Sequence, residues 1–436
     1  MSRRAWGLLL AAAAGVVVSA HACKVYDESL LEKQAAGDVP KDLWGSGVGW
    51  WSSKKANGCI SAGVPTADQR PKNTGSDKID PLYFAVRSMA LGSLDRNQEK
   101  TPGAWMDLGF DLDGLCTGSE TCPEDPGLNF ACKTQGAVPP DGRYCRDNSF
   151  GKLEGEAVGL GGGKDFGLSN DGFNCALCRG DYNFLIKISD YNGQANDSNV
   201  RIDLYPSPGI ETKPGWACNL NTAEGAWKAN ECWTADSKWT IQTKSFEGSI
   251  PAAGDLPAAV LNDPSAYVRD GYVVGQLPAD ALFWFPGESA ARAFPLKIQA
   301  GVFTGRIEQQ DGAWAIEDGT IAGRSKVTDM VDSFQQIGVC DGHPLFSGIN
   351  LFLTTGADVL ANGSVSPEAN CDALSIGIGF RAEQASFSRT PVDVTPLPGC
   401  PPDGGTGGSA GTGGSGGTGG TGGSAGDAGP EDASAE

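Results

Sequence analysis

The chain has 436 residues, 33 basic and 53 acidic side chains, a formal charge of −20 and two histidines. So acidic a chain repels phosphate backbones, which argues against nucleic acid as a partner, while 40% hydrophobic residues are enough for a real core. His21 falls in an apparent leader, so the mature chain is expected to keep only His343, and a three-histidine zinc site within one chain is excluded.

Arg3 and Arg4 precede an apolar run from Leu8 to Val18. That run is far shorter than the roughly 20 residues a membrane span needs, and it has the length of a signal peptide. We therefore expect residues 1–22 to be a cleaved leader. Ala20-His21-Ala22-Cys23 is similar to a bacterial lipobox, which makes Cys23 the expected lipid carrier. Parity agrees, because 13 cysteines become twelve without Cys23, and exported proteins tend to pair all their thiols. Residues 23–45 read as a polar tether, so the membrane is expected to be met through the lipid anchor only.

Residues 46–400 are dominated by period-two alternation, the pattern of half-buried strands. Met106, Leu108, Phe110 and Leu112 alternate with polar residues or glycine. Phe184, Ile186 and Ile188 form a second run and Val200, Ile202 and Leu204 a third, joined by an Asn/Asp/Gly-rich stretch that reads as a long hairpin. Leu374, Ile376, Ile378 and Phe380 form a fourth. Val327, Met330, Val331, Phe334 and Ile337 follow helical spacing instead, predicting one short packed helix over 323–337 with Ser325 as N-cap. The expected fold is mainly β, a large antiparallel β-sandwich of one or two domains. Residues 114–180 form a disulfide-rich insert, and the Gly/Thr/Ser-rich residues 401–436 are a disordered tail.

Six cysteines (116, 122, 132, 145, 175 and 178) lie in the insert and could make three internal bridges. Cys218 would then pair with Cys232, Cys340 with Cys371, and Cys59 with Cys400, although sequence does not fix connectivity. Cys175-Ala176-Leu177-Cys178 lacks the βαβ context of a redox motif and reads as structural.

Asp111 and Asp113 would lie on one strand face about 6.6 Å apart, near the spacing used by glycosidases. The segment is similar to the E-x-D-x-x-E strand of laminarinase-like glucanases, but Leu115-Cys116 stands where the acid glutamate should be. The other readings are a solvated strand end and a calcium site, since carboxylate oxygens at a strand end suit that ion. Asp190, Asn192, Asn196 and Asp197 offer a second set of oxygen ligands for calcium, or simply a hairpin loop. Trp216, Trp227, Trp233 and Trp239 crowd one short region, and exposed tryptophans stack on sugars; alternatively they pack a small stapled module.

Three stretches, Phe110 to Thr117, Asp141 to Asn148, and Asp190 to Gly193 with Asn196-Asp197, resemble uncharacterised lipoproteins of predatory soil bacteria. So do Cys371 to Ser375, Cys23 to Asp27 and the Gly/Thr tail. The resemblance implies export and surface anchoring and carries no activity.

The sequence thus leads to a non-enzymatic cell-surface lipoprotein that binds a ligand such as polysaccharide or acts in adhesion. The alternatives are a secreted glycoside hydrolase using Asp111 and Asp113, and a structural envelope component. No cofactor is expected apart from the calcium option.

Overall fold

The computed structural model describes residues 48–55, 58–72, 74–118, 130–137, 140–159, 169–218, 225–285, 294–395 and 399–400. The leader, Cys23, the tether and the tail lie outside these residues. The elements in chain order are β1 (Ser53–Lys54), β2 (Ile60–Ser61), β3 (Leu82–Ala90), α1 (Ser149–Gly159), α2 (Asn170–Arg179), β4 (Asn183–Ser189), β5 (Asp197–Ser207) and β6 (Lys238–Gln242). There follow β7 (Leu261–Arg269), β8 (Tyr272–Gln276), β9 (Ala281–Phe285), β10 (Phe294–Gln310), β11 (Ala313–Lys326), α3 (Val327–Gln336), α4 (Phe346–Gly356), β12 (Ala373–Gln384) and β13 (Ser386–Val392). No described helix is long and apolar enough to cross a membrane.

The main sheet is not half of a sandwich. Its strands run in the order β11-β12-β3-β4-β5-β7-β8-β10, and β10 also pairs with β11. The sheet therefore closes into an eight-strand antiparallel barrel. Closure rests on β10, whose Val302 has Gln276 on one side and Ala322 on the other. Its earlier half, Phe294 to Ile298, pairs with β9 instead. Period-two alternation is common to sandwiches and barrels; only the partner list distinguishes them.

The alternating apolar residues fill the barrel. Phe84, Ile186, Ile188, Ile202, Leu204, Val268, Val273, Phe303, Ile316, Ile321, Ile376 and Ile378 belong to one buried cluster. Phe173, Phe283 and Phe285 meet Phe184 or one another edge-on from α2 and β9.

The opposite strand faces are covered too. The parallel pair β6–β13 packs Trp239 and Ile241 against Ala85, Leu185 and Tyr205. Residues 48–64 and 104–112 bring Trp50, Trp51, Phe110 and Leu112 onto Tyr267, Tyr272, Val274, Val302 and Ala322. Arg269 stacks 4.5 Å from the Trp50 ring, and the Trp50 indole N–H donates to the Arg269 carbonyl at 3.0 Å.

Local expectations fare unevenly. The β4–β5 hairpin forms, with Asn183 opposite Ser207 and Ser189 opposite Arg201. The helix begins at Val327, because Gly323 to Lys326 still pair with β12 and Ser325 is buried in the strand rather than capping. Its apolar face packs on the core as expected, with Phe334 against Phe294 at 5.1 Å. It is one of four described helices, two of them in the insert. Residues 104–107 are a 3-10 turn rather than strand, and Phe110 and Asp111 make only isolated bridges. Here alternation records burial beneath a covering layer: Leu108 and Phe110 are fully buried on the outside of the barrel. Gly377 of β12 makes room for that layer, since a Cβ there would meet the Gly109 Cα at 2.7 Å.

The three named pairings, Cys218–Cys232, Cys340–Cys371 and Cys59–Cys400, are not formed, while one bridge internal to the insert is. Cys116 pairs with Cys145, Cys132 with Cys371, Cys175 with Cys218, Cys178 with Cys232, and Cys340 with Cys400. Cys59 is also disulfide-bonded, but not to Cys400. Among the described residues only Cys116–Cys145 is internal to the insert; Cys132–Cys371 ties it to the start of β12, Cys175–Cys218 and Cys178–Cys232 tie it to the stretch before β6, and Cys340–Cys400 lies outside it. Helical spacing explains the CxxC: residues three apart on α2 share a face, so both cysteines reach the same loop.

Candidate metal centre

Five aspartates meet on the outside of the barrel, over β11 and β12. Asp111 arrives on the covering segment, held where its N–H donates to the Ala62 carbonyl at 2.8 Å. Asp147 lies beside it through a bridge with Phe110. Cys116 follows Asp113 by three residues and Cys145 precedes Asp147 by two, so their disulfide clamps both loops together. Asp141 accepts from the Thr117 N–H, and Asp358 accepts from the Ser149 hydroxyl at 2.8 Å and from the Ser375 N–H at 2.8 Å.

Oxygens of Asp111, Asp113 and Asp147 all lie within 4.8 Å of one another. Asp111 and Asp147 are 4% and 3% exposed. Backbone N–H groups hold the carboxylates in place. Asp111 Oδ1 accepts from Gly114 at 2.7 Å, Asp113 Oδ1 from Leu115 at 2.8 Å, and Asp147 Oδ2 from Leu112 at 2.6 Å and Asp113 at 3.2 Å. Two cations flank the group. Lys55 Nζ lies 3.3 Å from Asp111 Oδ2, which also accepts from the Ser61 hydroxyl. Arg324 donates to the Leu112 carbonyl at 2.5 Å.

Burial dominates the electrostatics. It pushes Asp111 up to about 6 against the pull of Lys55 and Ser61. Burial also raises Asp358 to about 6 against its serine hydrogen bonds. Asp141 and Asp147 are driven well above the ordinary carboxylate range, first by burial and then by neighbouring aspartates. Asp113 is raised by burial as well.

These shifts set a pH dependence. A carboxyl whose native pKa lies above its unfolded value of about 3.9 binds more protons when folded. It therefore favours the fold on the acid side and loses that contribution as pH rises through about 6. In chelator, the unfolding midpoint should rise as pH is lowered from 7.5 to 5.5, and Asp147→Asn should flatten the slope. A midpoint that falls over that interval would show that the cluster does not control stability.

Asp111 and Asp113, expected as a carboxylate pair on one strand face, come together with Asp147 in one cluster, and Asp111 makes only isolated bridging contact with Gly63. An all-carboxylate donor set suits a hard cation such as calcium, whereas zinc and other soft ions favour histidine or thiolate.

The residues of the second calcium set are engaged in hydrogen bonds and one ion pair. Asp197 spends its oxygens on the Asn192 N–H at 2.7 Å, the Asn199 N–H at 3.1 Å and Lys78 at 3.2 Å. Asn192 accepts from the Gln194 N–H and donates to the Asn196 carbonyl. Asn196 accepts from the Asp270 N–H, and Asp190 is exposed with a left-handed backbone. The loop oxygens hold their own turn. The tryptophans divide. Trp233 and Trp239 are 4% and 0% exposed, meet edge-on at 5.3 Å and pack the β6–β13 layer, so they offer no face to a sugar. Trp216 and Trp227 are half-buried at the surface. His343 accepts from the Leu345 N–H at 3.2 Å in the loop after Cys340.

Asp141, Asp147 and Asp358 escaped the sequence reading as site residues. A signal existed in Cys116 and Cys145, which sit beside Asp113 and Asp147, but it becomes usable only when their pairing is known. No protein-family model matches the chain, and neither a curated protein nor a solved structure shows significant similarity to it.

Proposed function

We propose that this protein is an exported, lipid-anchored surface scaffold whose barrel is braced by a divalent cation, most simply calcium, at Asp111, Asp113 and Asp147. The observation that carries the reading is the convergence of three carboxylates within 4.8 Å in a buried setting. Like charges so placed repel strongly, and a bound dication would relieve them. Asp141 and Asp358 would add to the negative field. The formed disulfides support an oxidising compartment, where millimolar calcium matches the affinity of extracellular modules, about 10⁻⁴–10⁻³ M. The lipobox-like Ala20-His21-Ala22-Cys23 supports anchoring through Cys23. A non-enzymatic role is supported by three carboxylates set close enough to share one cation.

Chelated protein should bind calcium at one site in titration calorimetry. At a hundredfold excess over Kd the stabilisation is about 2.7 kcal/mol, which at about 2 °C per kcal/mol raises the melting midpoint by about 5 °C. Asp113→Asn, which removes the most accessible of the three charges, should weaken binding and shrink the shift. Calcium that leaves wild type and Asp113→Asn with the same midpoint would overturn the reading.

A further inference from the structure

Asp171, Cys175, Cys178 and Arg179 share one face of α2, being spaced by four, three and one residues. Two described stretches, residues 216–218 and 225–232, are fastened along that face at every one of them. Cys175 and Cys178 hold Cys218 and Cys232. The Arg179 Nε donates to the Trp216 carbonyl at 2.6 Å. Asp171 Oδ1 accepts from the Trp227 indole at 2.6 Å and from the Gly225 N–H at 3.1 Å. Trp227 thus sits at one end of α2 and Trp216 at the other, with anchoring residues separated by about 12 Å of helix rise.

Both indoles have their single donor committed. Trp227 gives its N–H to Asp171, and Trp216 gives its own to the Glu231 carbonyl at 3.2 Å. What each half-buried ring leaves outside is carbon, held in fixed orientation. Asn230 and Glu231, just after Trp227 in the chain, are exposed and offer polar partners. Two pinned aromatic faces beside hydroxyl-bonding groups are what a chain of sugar rings requires: C–H faces stack on the indoles while hydroxyls find polar atoms. Pre-organisation by two disulfides removes ordering cost at the moment of binding.

We propose that Trp216 and Trp227 form a two-point platform for a neutral glycan chain. At the platform Asp171 and Glu231 are offset by Arg179 and by Lys228, whose ammonium lies 6.0 Å from the Trp227 ring, so neutrality follows from the field of the whole chain, which carries −20 and repels polyanionic saccharides. The platform is separate from the carboxylate cluster, and chelation should leave it intact.

The test uses the full mature chain in affinity electrophoresis and pull-down. The probes are cellulose, chitin, soluble mixed-linkage glucan and alginate. Retention by a neutral polysaccharide is expected, unchanged by chelator. Trp216→Ala and Trp227→Ala should each weaken it about tenfold, equivalent to roughly 1.4 kcal/mol, and Trp227→Phe, which keeps an aromatic face, should lose less. Melting curves in parallel separate loss of the platform from loss of the fold. Retention by none of the neutral polysaccharides, retention by alginate alone, or binding that survives both alanine substitutions would overturn the proposal.

Discussion

Replacing Cys132 and Cys371 by serine is expected to destabilise the fold more than removal of any other disulfide between described residues. The bond spans 239 residues, against 60 for Cys340–Cys400 and 29 for Cys116–Cys145. In the chain-entropy model the stabilisation grows with the logarithm of loop length, reaching about 5.5 kcal/mol for the longest loop and about 2 kcal/mol less for the shortest. The location points the same way. Cys132 and Cys371 are buried with Ala131, Ala357 and Leu360 in a small cluster beside the start of β12. The Lys133 N–H bonds the Ala369 carbonyl at 2.7 Å, and the Cys371 N–H bonds the Lys133 carbonyl at 2.9 Å. Loss of the bond loosens both the insert and the strand that supplies Ser375 to Asp358. Denaturant midpoints of the three double-serine variants check the order. A Cys132/Cys371 variant no less stable than the Cys116/Cys145 variant would show that native contacts, not loop closure, set these contributions.

A second large effect is expected at Asn174. Strand β3 pairs with β4 only from Leu82 to Ala85. Beyond that point three buried asparagines stand in for the missing strand. Asn183 accepts from the Val86 N–H at 2.8 Å and returns a bond to the Val86 carbonyl. Asn174 accepts from the Met89 N–H at 2.7 Å, and Asn170 accepts from the Leu91 N–H at 2.8 Å. Asn170 and Asn174 are four apart on α2, so one helix face presents two amides to the strand. An amide carries both a donor and an acceptor, like a peptide group, which is why it can substitute for one. Asn174→Ala leaves the Met89 N–H buried without its partner and opens a small void. The cost should be about 3 kcal/mol, from an unmet buried donor plus lost packing. Thermal or urea unfolding of the variant checks it, with hydrogen exchange at Met89 as a local readout. A loss below about 1 kcal/mol, the size of an ordinary exposed hydrogen bond, would mean that β3 finds other partners.

These two features show where the sequence was legible. Ile186, Ile202 and Ile376 were read as core-facing, and they are. Whether their sheet stays open or closes depended on β10 pairing with both β8 and β11, and nothing local to those segments encodes partner choice. The 106–112 alternation had the right buried residues but the wrong element, because a covering segment alternates for the same reason a strand does. At the site, Asp111 and Asp113 were visible as a pair of carboxylates. Asp147 and Asp358 join them through the Cys116–Cys145 bond and the folding of β12, contacts that are remote in sequence. Asn170 and Asn174 carry no such signal in the sequence, since asparagine ordinarily favours turns and caps.

The Cys340–Cys400 bond has a mechanical consequence. β13, ending at Val392, lies against β6 as an outer ribbon, and a pull on the residues after 400 would ordinarily unzip it one hydrogen bond at a time. The bond diverts that force at Cys400 into the α3–α4 connection, so the ribbon and the tryptophans beneath it are shielded from tension. Tension applied between the two ends of the chain would thus pass through a covalent link and the barrel wall, with the layer that covers β3, β4 and β5 left slack.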